Sequence, residues 1–185
     1  MLVKNKSCPN TGEGKPNYEI VKEDLKYFSE HFLQRRERKL PTGIKWSNDT
    51  KVEDVPRILD MMFESGYDFV EFGNTSTDYK GLRDSIVERE RKLYDYFTST
   101  FGGGVSGHPL RTRSLLLCTA AMQYLRAGPP KQEFHVWRTG GIDCGNDIKE
   151  SDKIGVSLNL WYLGYWENFA KHGHEVYKEL YKELV

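Results

Sequence analysis

The longest apolar stretch of the chain covers residues 109–125 and reads PLRTRSLLLCTAAMQYL. Beyond Arg113 its apolar side chains occupy every side of a 3.6-residue period, and a helix with that pattern is normally buried on all sides. A helix of this length is about 25 Å long, which is short for a bilayer, and it contains two arginines. We therefore expect a core helix over residues 109–126, with the other elements packed around it.

Hydrophobic periodicity predicts an α+β fold. Apolar residues recur at helical spacing before the central helix, and after Pro130 the pattern changes to alternation. We expect about five helices around the central helix and a small antiparallel β-sheet near the C-terminus. Its strands are predicted at residues 133–139 and 154–162, joined as a hairpin by a polar loop, and residues 67–72 form a further strand.

The domain organisation follows from length and local composition. A chain of 185 residues is long enough for one domain with a sizeable core. Residues 1–18 are rich in Lys, Asn, Gly and Pro and poor in aliphatic side chains, a composition that cannot bury enough surface to hold itself folded. We predict a flexible N-terminal arm over residues 1–18 and a single domain over residues 19–185.

Charge and cysteine content restrict the partners and the compartment. Basic and acidic residues balance at 27 each, so no overall field recruits nucleic acid or an anionic membrane. Three scattered cysteines without CxxC spacing, and a polar N-terminus without a leader, fit a reducing compartment. We expect a cytoplasmic protein that does not bind membranes.

One amphipathic helix is predicted immediately before the central one. It begins at Ser76 or Thr77, and its charged side chains alternate in sign on the side expected to face solvent. The opposite face is apolar and is formed by Tyr79, Leu82, Ile86, Leu93 and Phe97.

The glycine-rich entry to the central helix is the strongest candidate site. Glycines let backbone N–H groups converge, a helix start carries partial positive charge, and nearby side chains add donors. The segment does not match nucleotide-binding glycine motifs. Its alternative interpretation is a connector whose arginines pair with acidic neighbours. The predicted anion-binding residues are Gly103, Gly104, Ser106, His108, Arg111, Arg113 and Ser114.

Aromatic and basic clusters are the candidate partner-binding residues. The aromatic side chains can stack on bases or anchor a protein, or they can pack beneath the C-terminal helix. The basic cluster can contact phosphates, or it can be the solvated end of a helix that its dipole favours. These residues are Trp137, Trp161, Tyr165 and Trp166, with Arg35, Arg36 and Arg38.

The sequence shows no catalytic constellation, metal site or cofactor motif. His172 and His174 point in divergent directions on a helix, and no third ligand is placed by spacing. Cys144 follows Asp143, whose charge opposes thiolate formation. We therefore predict no catalytic residues, no metal and no cofactor.

These observations favour a non-enzymatic interaction protein, such as an assembly, structural or inhibitory factor, that acts on a protein partner or as a homo-oligomer. The alternative is an RNA- or phosphate-ligand-binding protein, which keeps nucleic acid open as a partner. In that case the loop 102–114 and the cluster from Arg35 to Lys39 form one basic surface. A third hypothesis, a hydrolase or transferase, depends on Arg111 or His108.

Overall fold

The computed structural model describes residues 1–6 and 17–185, and its centre is a β-sheet of five strands. The strands are β1 (Leu2–Asn5), β2 (Thr42–Trp46), β3 (Phe69–Phe72), β4 (His135–Thr139) and β5 (Leu158–Leu160). Every neighbouring pair is parallel, and the strands follow one another across the sheet in chain order.

Helices make the crossovers that parallel strands require. A π-helical turn at Ser29–Leu33 extends the first of them. Repeated strand and helix units in sequential order are the arrangement of a β/α barrel. The helices are α1 (Tyr18–Phe28), α2 (Val55–Glu64), α3 (Tyr79–Leu82), α4 (Arg91–Thr100), α5 (Arg111–Ala127), α6 (Gly145–Ile154), α7 (Leu163–His172) and α8 (Val176–Leu184).

Alternation along the strands separates two faces of the sheet. One face packs against α1, α2 and α5 and forms the main hydrophobic core, with Ile44, Val70 and Val136 from the three central strands. The other, inner face carries Lys45 of β2 and Glu71 of β3, together with larger aromatic side chains. The buried ion pair of the sheet therefore lies on the inner face.

The predicted antiparallel sheet is wrong, because the polar segment interpreted as a hairpin loop contains α6. Ile154 ends that helix, and only Leu158–Leu160 form the last strand, parallel to β4. The buried positions of α6 are Gly145, Asp147 and Ser151, which are small or polar. A helix that meets the sheet through such residues has no apolar stripe to reveal it.

The central helix lies on one side of the sheet and is not surrounded. Helix α5 buries Leu117, Cys118 and Ala121, whereas Leu116 is 52% exposed. Some of the apolar side chains of α5 therefore lie on the protein surface instead of in the core. Across the described residues, no helix combines the length and the hydropathy that a bilayer crossing requires.

Part of the predicted N-terminal arm belongs to the sheet. Leu2–Asn5 form the edge strand β1, which pairs with β2 from Leu2 opposite Thr42 to Asn5 opposite Lys45. Backbone pairing supplies hydrogen bonds that do not depend on aliphatic side chains. Residues 7–16 of the predicted arm lie outside the described residues.

The helix predicted after Ser76 is also divided. Short 3₁₀ turns at Arg83–Ser85 and Glu88–Glu90 separate α3 from α4. Leu82 is buried as expected, but Leu93 and Phe97 lie on the surface. The residues of the predicted apolar face therefore do not form one buried surface, because some are buried and others are exposed to solvent.

Gly43 provides a test of the sheet. A Cβ atom at this position would lie 2.2 Å from the ring of Phe69 and 2.5 Å from its carbonyl oxygen. We expect Gly43→Ala to lower the free energy of unfolding by about 1–3 kcal/mol, because the neighbouring strand must shift. Urea denaturation measures this loss.

Gly128→Ala is the matched control. No atom lies within 4 Å of a Cβ built there, and its φ of −145° suits any residue, so the free energy of unfolding should change by less than about 0.5 kcal/mol. Equal stabilities of the two variants would contradict the strand packing described above.

Candidate active site

A cavity of about 280 Å³ opens at the carboxyl edge of the sheet. Its walls come from the ends of β2 to β5 and from the loop before α5. They include Lys45, Asn74, Gly107, Thr139, Gly141 and Trp161. Ligands of α/β proteins bind outside the carboxyl ends of parallel strands, so this cavity is the candidate site.

A buried ion pair crosses three strands beside the cavity. The ammonium of Lys45 lies 2.9 Å from the carboxylate of Glu71, and the hydroxyl of Thr139 donates a 2.7 Å hydrogen bond to the same carboxylate. Glu71 is only 5% exposed. Its partners on the neighbouring strands offset the cost of burying a charge.

Two amide side chains extend this polar group to the edge strand. The Asn74 side chain, just after β3, donates a 2.9 Å hydrogen bond to the side-chain oxygen of Asn5, the last residue of β1. Each amide group offers both donors and an acceptor. The carboxyl edge therefore carries the ammonium of Lys45 and the side-chain amides of Asn5 and Asn74 at the ends of neighbouring strands.

An aromatic pair lies below the polar group. The rings of Phe69 and Trp137 stack with centroids 3.7 Å apart, and both side chains are buried. They precede Glu71 and Thr139 by two residues, which places them one step toward the amino edge on the same face. Apolar packing here lowers the local dielectric and strengthens the electrostatic interactions above it.

Two glycines are required where the strands enter the cavity wall. Gly73 has a φ of +138°, and a Cβ there would lie 1.8 Å from the carbonyl oxygen of Thr139. Gly141 has a φ of +70°, and its Cβ would lie 2.3 Å from the backbone nitrogen of Arg111. Only glycine combines these backbone angles with such close approaches.

A fully buried arginine ties two helices to the sheet just beneath this wall. Arg138 of β4 is 0% exposed, and burial lowers the pKa of its guanidinium. It donates to the hydroxyl oxygens of Ser114 and Ser151, each at 2.9 Å. It also donates to the carbonyl oxygens of Arg111 and Asp147 at 2.9 and 3.1 Å.

Asp147 organises the start of α6. Its carboxylate accepts hydrogen bonds from the backbone N–H groups of Asp143 and Cys144 at 2.9 and 3.1 Å and pairs with the guanidinium of Arg111. Burial acts to raise the pKa of Asp147, but the guanidinium, the Asp143 N–H and the Cys144 thiol outweigh it and hold the pKa below its usual value. The carboxylate is therefore charged and satisfied.

The two arginines and the histidine of the predicted anion site each contact a carboxylate. This is the arrangement expected if the segment connects two helices, and it leaves their charges balanced. The pairs join Arg111 to Asp147, Arg113 to both Asp49 and Asp78, and His108 to Asp143.

The uncharged members of the predicted anion site are dispersed. Ser106 lines the cavity, while Ser114 is buried and donates to the carbonyl of Gly140 at 2.7 Å. The Gly103 carbonyl accepts a 2.6 Å hydrogen bond from the hydroxyl of Tyr79, and Gly104 is exposed. These residues do not converge on one point.

Of the predicted partner-binding aromatics, Trp137 is buried, and Trp161 and Tyr165 are partly buried. Trp137 belongs to the buried ring pair, and Trp161 and Tyr165 lie 6.0 and 5.9 Å from the ring of Tyr177 on α8. They therefore support the C-terminal helix. Trp166 is 51% exposed.

The basic cluster lies at the opposite edge of the sheet from the cavity. Arg36 donates a 3.1 Å hydrogen bond to the hydroxyl of Thr42, at the start of β2, and Arg35 and Arg38 are exposed nearby in the sequence. The loop before α5 meets the carboxyl edge instead. A single basic surface formed by both segments is therefore excluded.

A family model described as dihydroorotate dehydrogenase matches residues 1–184. The chain belongs to the dihydroorotate dehydrogenase family. The predicted non-enzymatic interaction protein is therefore wrong, and so is its RNA- or phosphate-binding alternative, because this family consists of oxidoreductases.

Relatives and solved structures agree with this membership. The chain is 28% identical over 167 residues to "Dihydroorotate dehydrogenase (quinone)" from Kineococcus radiotolerans, covering 89% of the chain and 42% of that protein. The protein of the same name from Kocuria rhizophila is 29% identical over 128 residues, covering 69% and 32%.

A ligand-free dihydroorotate dehydrogenase structure from Eimeria tenella shares the fold, with a TM-score of 0.71 at 19% identity, over 98% of this chain and 49% of that one. The chain thus spans less than half the length of the proteins it matches.

Two predicted site residues, Ser106 and Trp161, do line the cavity, but the sequence did not indicate the polar group at the carboxyl edge. The members of this group all lie at or just beyond the carboxyl ends of strands, a signal that becomes visible only once the strands are known to be parallel. These residues are Asn5, Lys45, Glu71, Asn74 and Thr139.

Acid titration tests the Asp147 contacts. The pKa of Asp147 is lower in the folded chain than in the unfolded one. The charged Asp147 therefore stabilises the fold fully above the unfolded-state pKa of about 3.9, and this stabilisation is lost as pH falls through the folded-state pKa. We expect Asp147→Asn to lower the free energy of unfolding by about 3 kcal/mol at pH 7. The deficit should shrink below about pH 4, as urea denaturation at each pH would show.

Asp95→Asn serves as the control. Asp95 pairs with Arg83 at 2.8 Å, but both side chains are nearly half exposed, and solvent-screened pairs of this kind contribute little to stability. The proposed role of Asp147 would be refuted if Asp147→Asn lowered the free energy of unfolding by the same amount at every pH. It would also be refuted if that loss were no larger than the loss caused by Asp95→Asn.

Proposed function

We propose that the cavity is this chain's part of a dihydroorotate dehydrogenase site, where dihydroorotate loses two hydrogens and becomes orotate. The match of the family model over residues 1–184 carries the proposal, and the polar group at the carboxyl edge supports it. Because the chain spans 42% of the Kineococcus relative, the proposal concerns only the groups that these five strands supply.

The reaction sets the requirements for the site. Forming a carbon–carbon double bond removes one hydrogen as a proton and the other with its electron pair as hydride, so a base and a hydride acceptor are both needed. A flavin is the class of cofactor that takes hydride and can pass the electrons to a quinone, the compound in the bacterial relatives' name.

The lining of the cavity suits a flat group of this kind. Gly107, Gly140 and Gly141 contribute no side chain, so a ring can approach the backbone closely. Lys45 and Trp161 are the lining residues that would face it.

The polar residues suit the substrate. Dihydroorotate carries ring N–H and carbonyl groups and a carboxylate, which match the donors and acceptors of Asn5 and Asn74 and the charge of Lys45. In a site with a buried aromatic floor, a fixed ammonium stabilises negative charge more than it would in water. Glu71 and Thr139 hold that ammonium in place.

Two expectations from the sequence remain predictions. Cytoplasmic residence rests on the scattered cysteines. A protein partner or homo-oligomer rests on the predicted N-terminal arm, the aromatic cluster at the end of the last strand and the charged helices.

Orotate binding and dihydroorotate-dependent reduction of a soluble quinone test the proposed function. We expect Asn74→Ala and Lys45→Met to weaken orotate binding, measured by calorimetry, by about tenfold or more, because each removes a polar contact. They should lower kcat/KM by about 100-fold.

Lys178→Met is the matched control, since Lys178 is a 66% exposed lysine on α8, paired only with Glu175 in the contacts described. It should behave as the wild type. A wild-type chain that neither binds orotate nor oxidises dihydroorotate, or a control as impaired as Lys45→Met, would contradict the proposal.

A further inference from the structure

The carboxylate of Glu71 lies just behind the wall of the cavity. Its side chain is 6% exposed, and the described residues that line the cavity do not include it. Two residues that do line the cavity, Lys45 and Thr139, contact this carboxylate at 2.9 and 2.7 Å. A ligand in the cavity therefore meets Glu71 through these neighbours and through its charge.

The charged residues of the wall are few. Among the described lining residues, Lys45 is the one cation and Asp143 the one anion. The carboxylate of Asp143 lies 3.0 Å from the ring nitrogen Nδ1 of His108. The attraction that charged side chains of the wall exert on an anion therefore comes from Lys45.

The distances bring both charges of the ion pair to bear on a ligand. A ligand carboxylate that bonds to the ammonium of Lys45 lies about 2.8 Å from Nζ. Because Glu71 binds the same ammonium at 2.9 Å, the two carboxylates are then no more than about 6 Å apart. Salt screens exposed charges over about 8–10 Å and screens buried ones much less. The charge of Glu71 thus offsets much of the attraction of Lys45.

The strands keep this opposing charge in place. Glu71 of β3 lies opposite Lys45 of β2 in the parallel register, and the hydroxyl of Thr139 on β4 donates to it. A carboxylate on the surface could turn toward water when an anion arrives, but one held between neighbouring strands cannot. The repulsion is therefore part of the site whenever a ligand binds.

We propose that Glu71 is a specificity-determining residue of the cavity, whose charge weakens the binding of anionic ligands relative to uncharged ligands of similar shape. This inference rests on the proposed function, because both dihydroorotate and orotate are anions. Affinity shared equally by substrate and product does not speed turnover once the site is saturated, and it slows product release. The compensated lysine limits that shared affinity and still keeps an ammonium in position.

Calorimetric titrations with orotate and with its uncharged methyl ester test the inference. Glu71→Gln removes the charge but keeps an oxygen that can accept hydrogen bonds from Lys45 and Thr139. We expect it to bind orotate about tenfold more tightly than the wild type does, and the ester within about threefold of the wild type, because only orotate carries a charge. A purely structural role for Glu71 would change both affinities in the same direction.

Glu64→Gln is the control, because it changes the net charge equally. Glu64 is 60% exposed, pairs with Lys22, and ends α2 before the start of β3, at the opposite edge of the sheet from the cavity. This variant should bind orotate as the wild type does.

A second uncharged variant, Glu71→Met, should reproduce the gain, and it decides the question if circular dichroism shows that Glu71→Gln is unfolded. A wild type that does not bind orotate overturns the proposed function and this inference with it. A wild type that binds orotate overturns this inference alone if the folded Glu71 variants bind orotate no more tightly, or if they gain as much affinity for the ester.

Discussion

The buried guanidinium of Arg138 is the interaction on which the carboxyl edge of the sheet depends. It bonds to serine hydroxyls and backbone carbonyls of α5 and α6. Removing one of these partners would cost about 1.5–3 kcal/mol, because each hydrogen bond is made to a buried charged group. Ser114, one of its acceptors, also fixes the carbonyl of Gly140. The network thus sets the position of the glycine turn that forms one wall of the cavity.

The sequence allowed some of this to be predicted. The apolar run of α5 is long enough to be seen by periodicity alone, and the pairing of the loop arginines was one of two interpretations that the residues left open. The parallel sheet was hidden because α6 meets it through Gly145, Asp147 and Ser151. A crossover helix without an apolar stripe resembles a loop, and two strands then resemble a hairpin.

The site escaped prediction for a related reason. Lys45 and Glu71 are separated in the sequence and become neighbours only through the parallel register of β2 and β3. An alternating strand pattern does not say which strand lies beside it. This buried ion pair breaks the usual distribution of charged and apolar residues, and such departures concentrate at functional sites.

The most direct test of the account is a titration of the isotope-labelled chain with orotate, followed by the backbone amide signals in NMR spectra. Binding at the carboxyl edge predicts shifts at Asn74, Gly140 and Gly141, with no change at Arg35 and Arg38 on the opposite edge. Shifts confined to Arg35 and Arg38, or none anywhere at saturating orotate, would contradict the assignment of the active site.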